Sequence, residues 1–154
     1  MQTHGRPTTL EIQDATYFVT FSMLDRELVD LTRPAIGQMI VGAFRHFDEV
    51  RYLLFDYTVM PDHVHLIMKP LVVDGTLVGL SSIYHSLKSF TAHGINKLLR
   101  RRGPVWQDGS YERVLRSRKD YEEKAKYIFM NPVARGLVRD PSEWPWWGKG
   151  SGEV

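Results

Sequence analysis

The stretch 57–70, Y-T-V-M-P-D-H-V-H-L-I-M-K-P, constrains this chain more than any other. Two runs of β character, Tyr52 to Met60 and Val64 to Met68, flank Pro61-Asp62. They predict two adjacent strands, antiparallel or bulged, with the Pro-Asp pair as the turn or bulge between them. Successive side chains of a strand point to opposite faces, so His63 and His65 share one face while Val64, Leu66 and Met68 form another that packs on a core. A rise of about 3.3 Å per residue puts the two histidine Cα atoms roughly 6 to 7 Å apart, close enough for both imidazoles to converge on one divalent cation. A pair of surface or structural histidines has the same spacing, so the choice between the two readings falls to the rest of the chain.

Any such metal would sit on nitrogen and oxygen donors, because the 154 residues contain no cysteine. That absence also excludes disulfides and a cysteine nucleophile. The length fits a single domain with one core. No apolar run approaches a membrane span and residues 1–13 lack a hydrophobic signal core, so the expectation is a cytoplasmic protein without a membrane partner. The net charge of +2 conceals an asymmetry: Lys88 to Arg139 holds 13 of the 20 Lys and Arg against 5 acids, and the remainder is net acidic. A basic segment of that size predicts a face for a polyanion, with a solvated helix face as the alternative.

Residues 1–14 read as an extended arm and 148–154 as a flexible tail, leaving 15–147 as the domain. Ala15 to Leu24 has the aromatic and β-branched composition of a strand, with Tyr17, Val19 and Phe21 alternating against Thr16, Phe18, Thr20 and Ser22. Thr32 is a candidate cap for a helix with Pro34 in its first turn, and Ile36, Ile40, Ala43, Phe44 and Phe47 recur at helical spacing up to Asp48. A second helix is expected from Thr76 to Arg102, with Leu80, Ile83, Leu87, Phe90 and Leu98 as its buried stripe and Gly94 as a weak point. His85 and His93 on that helix have no partner at ligand spacing and read as surface residues. Val105 to Gln107 and Tyr111 to Arg116 read as short strands about an Asp-Gly-Ser turn, forming the last edge of the sheet. Ser117 and Asp120 resemble a capping box that opens a third helix, with Tyr121, Ala125 and Ile128 as its core stripe.

On the adjoining face of that third helix stand Lys124, Tyr127 and Asn131, and residues four apart on a helix are neighbours. Pro132 predicts extended or capping geometry at Asn131 and a new short helix from Pro132 to Gly136. The aromatic run Trp144-Pro145-Trp146-Trp147 is expected to cover an exposed edge of the core rather than to stack bases. The order strand, helix, strand, strand, helix, strand, helix predicts an α+β, ferredoxin-like sandwich with helices packed on an antiparallel sheet.

Two histidines plus an amide oxygen make a donor set with open positions, suited to Mg²⁺ or Mn²⁺ rather than to structural zinc. Such an ion acts as a Lewis acid on a phosphoryl oxygen, and a tyrosine one helical turn from a ligand can attack the phosphorus. Candidate cations for a phosphate backbone are Lys88, Lys97, Arg100, Arg101, Arg102, Arg113, Arg116 and Lys124.

These residues resemble the single-tyrosine HUH transposases, and within them the REP-associated tyrosine transposases. V-M-P-D-H-V-H-L-I-M is similar to the family's two-histidine metal motif, with His63 and His65 in its metal-binding positions. Y-I-F-M-N-P-V-A-R-G-L-V is similar to its helix motif, giving Tyr127 the nucleophile's place and Asn131 the third ligand's. V-W-Q-D-G-S-Y-E-R also looks like the family, and the resemblance spans about Tyr17 to Trp147. Wider insertion-sequence relatives usually place Gln where Asn131 stands, and Asn within N-P-V-A-R-G-L points to the REP-associated branch. The resemblance implies a Mg²⁺- or Mn²⁺-dependent endonuclease and strand transferase acting on single-stranded hairpin DNA, as monomer or homodimer. It further implies cleavage that leaves a 5′-phosphotyrosine and a free 3′-OH. The alternatives are a two-histidine phosphoesterase, which would need a second His-x-Thr or His-x-Ser motif that the chain lacks, a domesticated DNA binder that no longer cuts, and a purely structural protein.

Overall fold

Alternation in the first apolar run produces a strand with two useful faces. The computed structural model describes residues 14–153, and in it β1 (Thr16–Ser22) sends Tyr17, Val19 and Phe21 into the larger of two cores while Phe18 joins the smaller one. The chain continues through α1 (Pro34–His46), β2 (Tyr52–Val59) and β3 (His63–Pro70), then a short hairpin of β4 (Val72–Val73) and β5 (Thr76–Leu77). It ends with α2 (Leu80–Leu99), β6 (Tyr111–Leu115), α3 (Arg118–Ala134), a 3-10 turn at Pro141–Glu143 and β7 (Trp147–Lys149).

Five strands form one antiparallel sheet in the order β6-β1-β3-β2-β7. The fold is α+β as expected, a five-stranded antiparallel sheet with three helices, and β1, β2, β3 and β6 lie in the split βαβ arrangement. The helices divide between the faces. Ile36, Ile40 and Phe44 of α1 and Ile83, Leu87 and Ile95 of α2 pack on one side with Val64, Leu66 and Met68. On the other side Ile128 of α3 meets Phe18, Phe55, Ile67 and Leu115. Burying a side chain of that size contributes about 1.5 to 3 kcal/mol, and the two cores cover opposite faces of the sheet. Among the described residues no helix is long and apolar enough to cross a membrane.

Several local expectations are corrected. Residues 1–13 lie outside the described residues, so the expected arm is not addressed apart from Asp14. Arg33, not Thr32, caps α1, because the Thr32 hydroxyl donates instead to Asp30. Thr76 belongs to the β4–β5 hairpin, so α2 begins at Leu80 and stops at Leu99, where Arg100 adopts a left-handed conformation. Gly94 does not interrupt α2; a Cβ there would stand 2.9 Å from the Met39 side chain, so the glycine lets α1 and α2 approach. Phe90 and Leu98 are exposed, and Thr91 and Ile95 take the inward positions instead. Residues 105–107 form no strand, only an isolated bridge from Trp106 to Met23. Of the two readings of Pro61-Asp62 the turn holds, closed by the Met60 N–H bond to His63 O, while the bulge of the β2–β3 pair lies between Leu54 and Tyr57.

The two corrections that most affect the site concern the C-terminal third. Pro132 does not end α3, which continues to Ala134 with Asn131 inside it. Only one backbone donor is lost there, close to the end of the helix, and the end is closed by N–H bonds from Gly136 to Val133 O and from Leu137 to Pro132 O, with Gly136 at φ 73°. The expected flexible tail is instead paired: β7 lies along β2, and the N–H groups of Gly150 and Gly152 bond to Phe55 O and Leu54 O. Trp146 packs on the larger core and Trp147 on the smaller, so the aromatic run covers the β2 edge as anticipated.

Candidate active site

The register of β1 against β3 places Thr20 opposite His65 and Ser22 opposite His63. Both histidines therefore project from the α3 side of the sheet, and both are buried. Their Nε2 atoms face each other at 3.1 Å. Each ring is held from behind at Nδ1: His63 donates to Asp62 Oδ1 at 2.7 Å, and His65 lies 2.8 Å from the Thr20 hydroxyl. Asp62 is itself gripped by Arg26 at 3.2 Å and approached by Arg135 at 3.9 Å. Burial opposes ionisation of Asp62, but the hydrogen bond and charge of His63, with Arg26 and Arg135, outweigh it and hold the carboxyl below its ordinary range. Burial, reinforced by His63, Lys124 and Arg135, pushes the His65 pKa down to about 3, so this ring is neutral at physiological pH.

α3 brings the rest. The ring of Tyr127 lies 5.4 Å from that of His65 and meets Phe18 edge-on at 6.0 Å, while 48% of the residue remains exposed. One turn later Asn131 is 6% exposed, and its Oδ1 is buried without a hydrogen-bond partner. A further turn on, Arg135 reaches Asp62. Residues four apart lie on one helix face, so Tyr127, Asn131 and Arg135 form a stripe whose two ends both touch the histidine end of β3. Lys124 completes it, with Nζ 4.8 Å from the Phe18 ring centroid and 5.2 Å from that of Tyr127.

This donor set fits a divalent cation. Among the described residues no three His, Cys, Asp or Glu side chains form a metal cluster, so a third protein donor beside the two histidines would be of another type. A buried amide oxygen with no partner is costly unless something satisfies it, and Asn131 supplies one on the helix that faces the histidines. Both rings are anchored at Nδ1 and aimed through Nε2, and the neutral ring of His65 is in the state a metal requires.

The cations named from sequence divide into four groups. Arg113 and Lys124 flank the site, Arg113 standing opposite Phe18 on β6. Arg116 lies farther along the same face, lining a cleft with Lys69, Arg118 and Tyr121. Lys97, Arg100 and Arg102 are exposed at the end of α2, on the opposite layer. The last group is engaged internally: Lys88 donates to the carbonyls of Gln107, Asp108 and Gly109, and Arg101 to Asn96 Oδ1 at 2.6 Å. Lys88 is thereby a clamp on the loop before β6. Sequence reasoning missed Thr20, Asp62, Arg26 and Arg135; of these only Asp62, adjacent to His63, carried a local signal.

No family model matches the chain. It is similar to the REP-associated tyrosine transposase of Escherichia coli (strain K12), 29% identical over 137 residues that cover 87% of this chain and 76% of the relative. Its fold is similar to a solved structure of a REP-associated tyrosine transposase bound to a REP hairpin, with a TM-score of 0.73 and 26% identity over 96% of this chain and 82% of that one.

Proposed function

We propose that this chain, which is similar to the REP-associated tyrosine transposases, is a transposase that recognises hairpin DNA and cuts and rejoins single strands through a covalent bond to Tyr127. The observation that carries this reading is the position of Tyr127: half exposed, against His65, and one turn before the buried, unpartnered Asn131. A bound Mg²⁺ or Mn²⁺, held by His63, His65 and Asn131, would polarise a phosphoryl oxygen of the scissile phosphate.

The protein's own groups do the rest. Tyr127 Oη attacks phosphorus as the P–O3′ bond breaks; the phenol gives up its proton and the departing 3′ oxygen takes one up. The products are a 5′-phosphotyrosine and a free 3′-OH. A phenol has an ordinary pKa near 10 and is a weak nucleophile while protonated. Lys124 stands beside the ring as a fixed positive charge where negative charge builds. Phe18, buried beneath both Tyr127 and His65, fixes the two rings relative to each other. Attack by a 3′-OH on the phosphotyrosine reverses the step, so rejoining needs no external energy.

The test is a denaturing gel of protein incubated with hairpin DNA and Mn²⁺. A covalent adduct is expected from the parent protein and none from Tyr127→Phe, which keeps the ring and should retain hairpin binding. An adduct that persists without the phenolic oxygen would assign the chemistry to another residue. Hairpin binding by the parent without any adduct would identify a non-cleaving binder.

A further inference from the structure

Resting on that reading, we infer that Tyr111 is a stacking surface for an unpaired nucleobase next to the scissile phosphate. Tyr111 begins β6, an outer strand of the sheet, and is 55% exposed. Its register partner is Thr20, the residue whose hydroxyl holds His65. Its ring meets Phe18 edge-on with centroids 6.1 Å apart. Phe18 is also the ring that Tyr127 meets at 6.0 Å and on which His65 stacks at 5.2 Å. Two exposed phenols thus rest on one buried ring, one of them the nucleophile.

The charges beside Tyr111 suit the same ligand. Arg113, two residues along β6, shares its face of the strand and is exposed, and Lys124 lies over Phe18. A base laid on Tyr111 has cations within reach of its flanking phosphates and belongs to a nucleotide at or beside the one being cut. Bases inside a duplex are covered on both faces by their neighbours, whereas an unpaired base in the single-stranded flank of a hairpin has a face free for Tyr111, and that base is the ligand assigned to it. Stacking of this kind tolerates any base, because each has a π-face. It fixes the position of the strand rather than reading its sequence.

The experiment uses the whole chain carrying Tyr127→Phe, so that binding is measured without cleavage. Probes are hairpin oligonucleotides from the inverted repeats flanking the chain's own coding region, with single-stranded flanks and 2-aminopurine at each unpaired position in turn. One position is expected to be quenched in the parent and in Tyr111→Phe and Tyr111→Trp variants. Tyr111→Leu, which still covers Phe18, should abolish that quenching and weaken Kd roughly 5- to 100-fold. The weakening should vanish when that one nucleotide is made abasic. Equal affinity and equal quenching in Tyr111→Leu at every position would overturn the inference, as would a loss that persists with the abasic probe. Failure of the parent to bind any hairpin would overturn the proposed function, and this inference with it.

Discussion

At the scale of single residues the site is a set of rings held from behind. His63 and His65 present Nε2 because Asp62 and Thr20 occupy the opposite nitrogens. Partners of this kind typically carry a factor of 10 to 100 in metal affinity. Asp62→Asn and Thr20→Val are therefore each expected to raise the Mn²⁺ concentration needed for half-maximal adduct formation by about 10- to 100-fold, measured by titrating the gel assay. A mid-point unchanged from the parent would remove these residues from the site. The burial of His65 has a consequence for stability with metal chelated. Its folded pKa is about 3 while the unfolded ring keeps about 6.5, so between those values the unfolded state binds more protons. The stabilisation is complete above about pH 6.5 and is lost as pH falls toward 3, with a slope of at most about 1.4 kcal/mol per pH unit. Urea unfolding in EDTA at pH 7 and pH 5 should show this loss, and His65→Gln should flatten it. The two histidines and their shared face were legible in the alternation of β3, but Thr20 was not, since its partnership with His65 depends on a register 45 residues distant.

Among the elements, strands and amphipathic helices were legible wherever one periodicity ran unbroken, as in β1, α1 and β3. Errors arose where tertiary packing overrode a local signal. Pro132 reads as a helix boundary, yet α3 continues past it and keeps Asn131 in step with Tyr127. Polar, glycine-bearing residues after Trp147 read as loose chain, yet the glycines are what allow β7 to lie on β2. A Cβ at Gly148 would come within 2.3 Å of the Tyr57 hydroxyl, which accepts a bond from Arg45 at 2.9 Å. Gly148→Ala is expected to cost about 1 to 3 kcal/mol, a fall in Tm of roughly 2 to 4 °C for each kcal/mol. Gly42→Ala is the contrasting case: it lies in α1 with open space around it and should gain about 0.5 to 1 kcal/mol. Thermal unfolding followed by circular dichroism compares the two, and equal shifts would contradict the packing assigned to the C-terminal strand.

For the whole molecule the two faces of the sheet have different work. α1 and α2 close the larger core, while α3 brings nucleophile, amide and Arg135 to the face that carries the histidines. The basic segment recognised in the sequence is therefore not one surface, because Lys88 and Arg101 are engaged internally and Arg100 and Arg102 sit on the layer away from the site. Each phosphate contact contributes about −0.7 to −0.9 to the slope of log K against log salt. Replacing Arg113 and Lys124 together by Gln is expected to flatten the slope for hairpin DNA by about 1.4 to 1.8, and replacing Arg100 and Arg102 to flatten it less. Fluorescence anisotropy across a salt series measures both, and the reverse ranking would place the DNA around the α2 end. The pairing of β7 with β2 also sets a timetable for synthesis. β2 leaves the ribosome about 90 residues before the strand that covers it, so while those residues are made its hydrogen-bonding edge is open to strands of neighbouring nascent chains. β7 is the strand that ends this exposure, which makes its prompt docking a condition of yield as well as of stability.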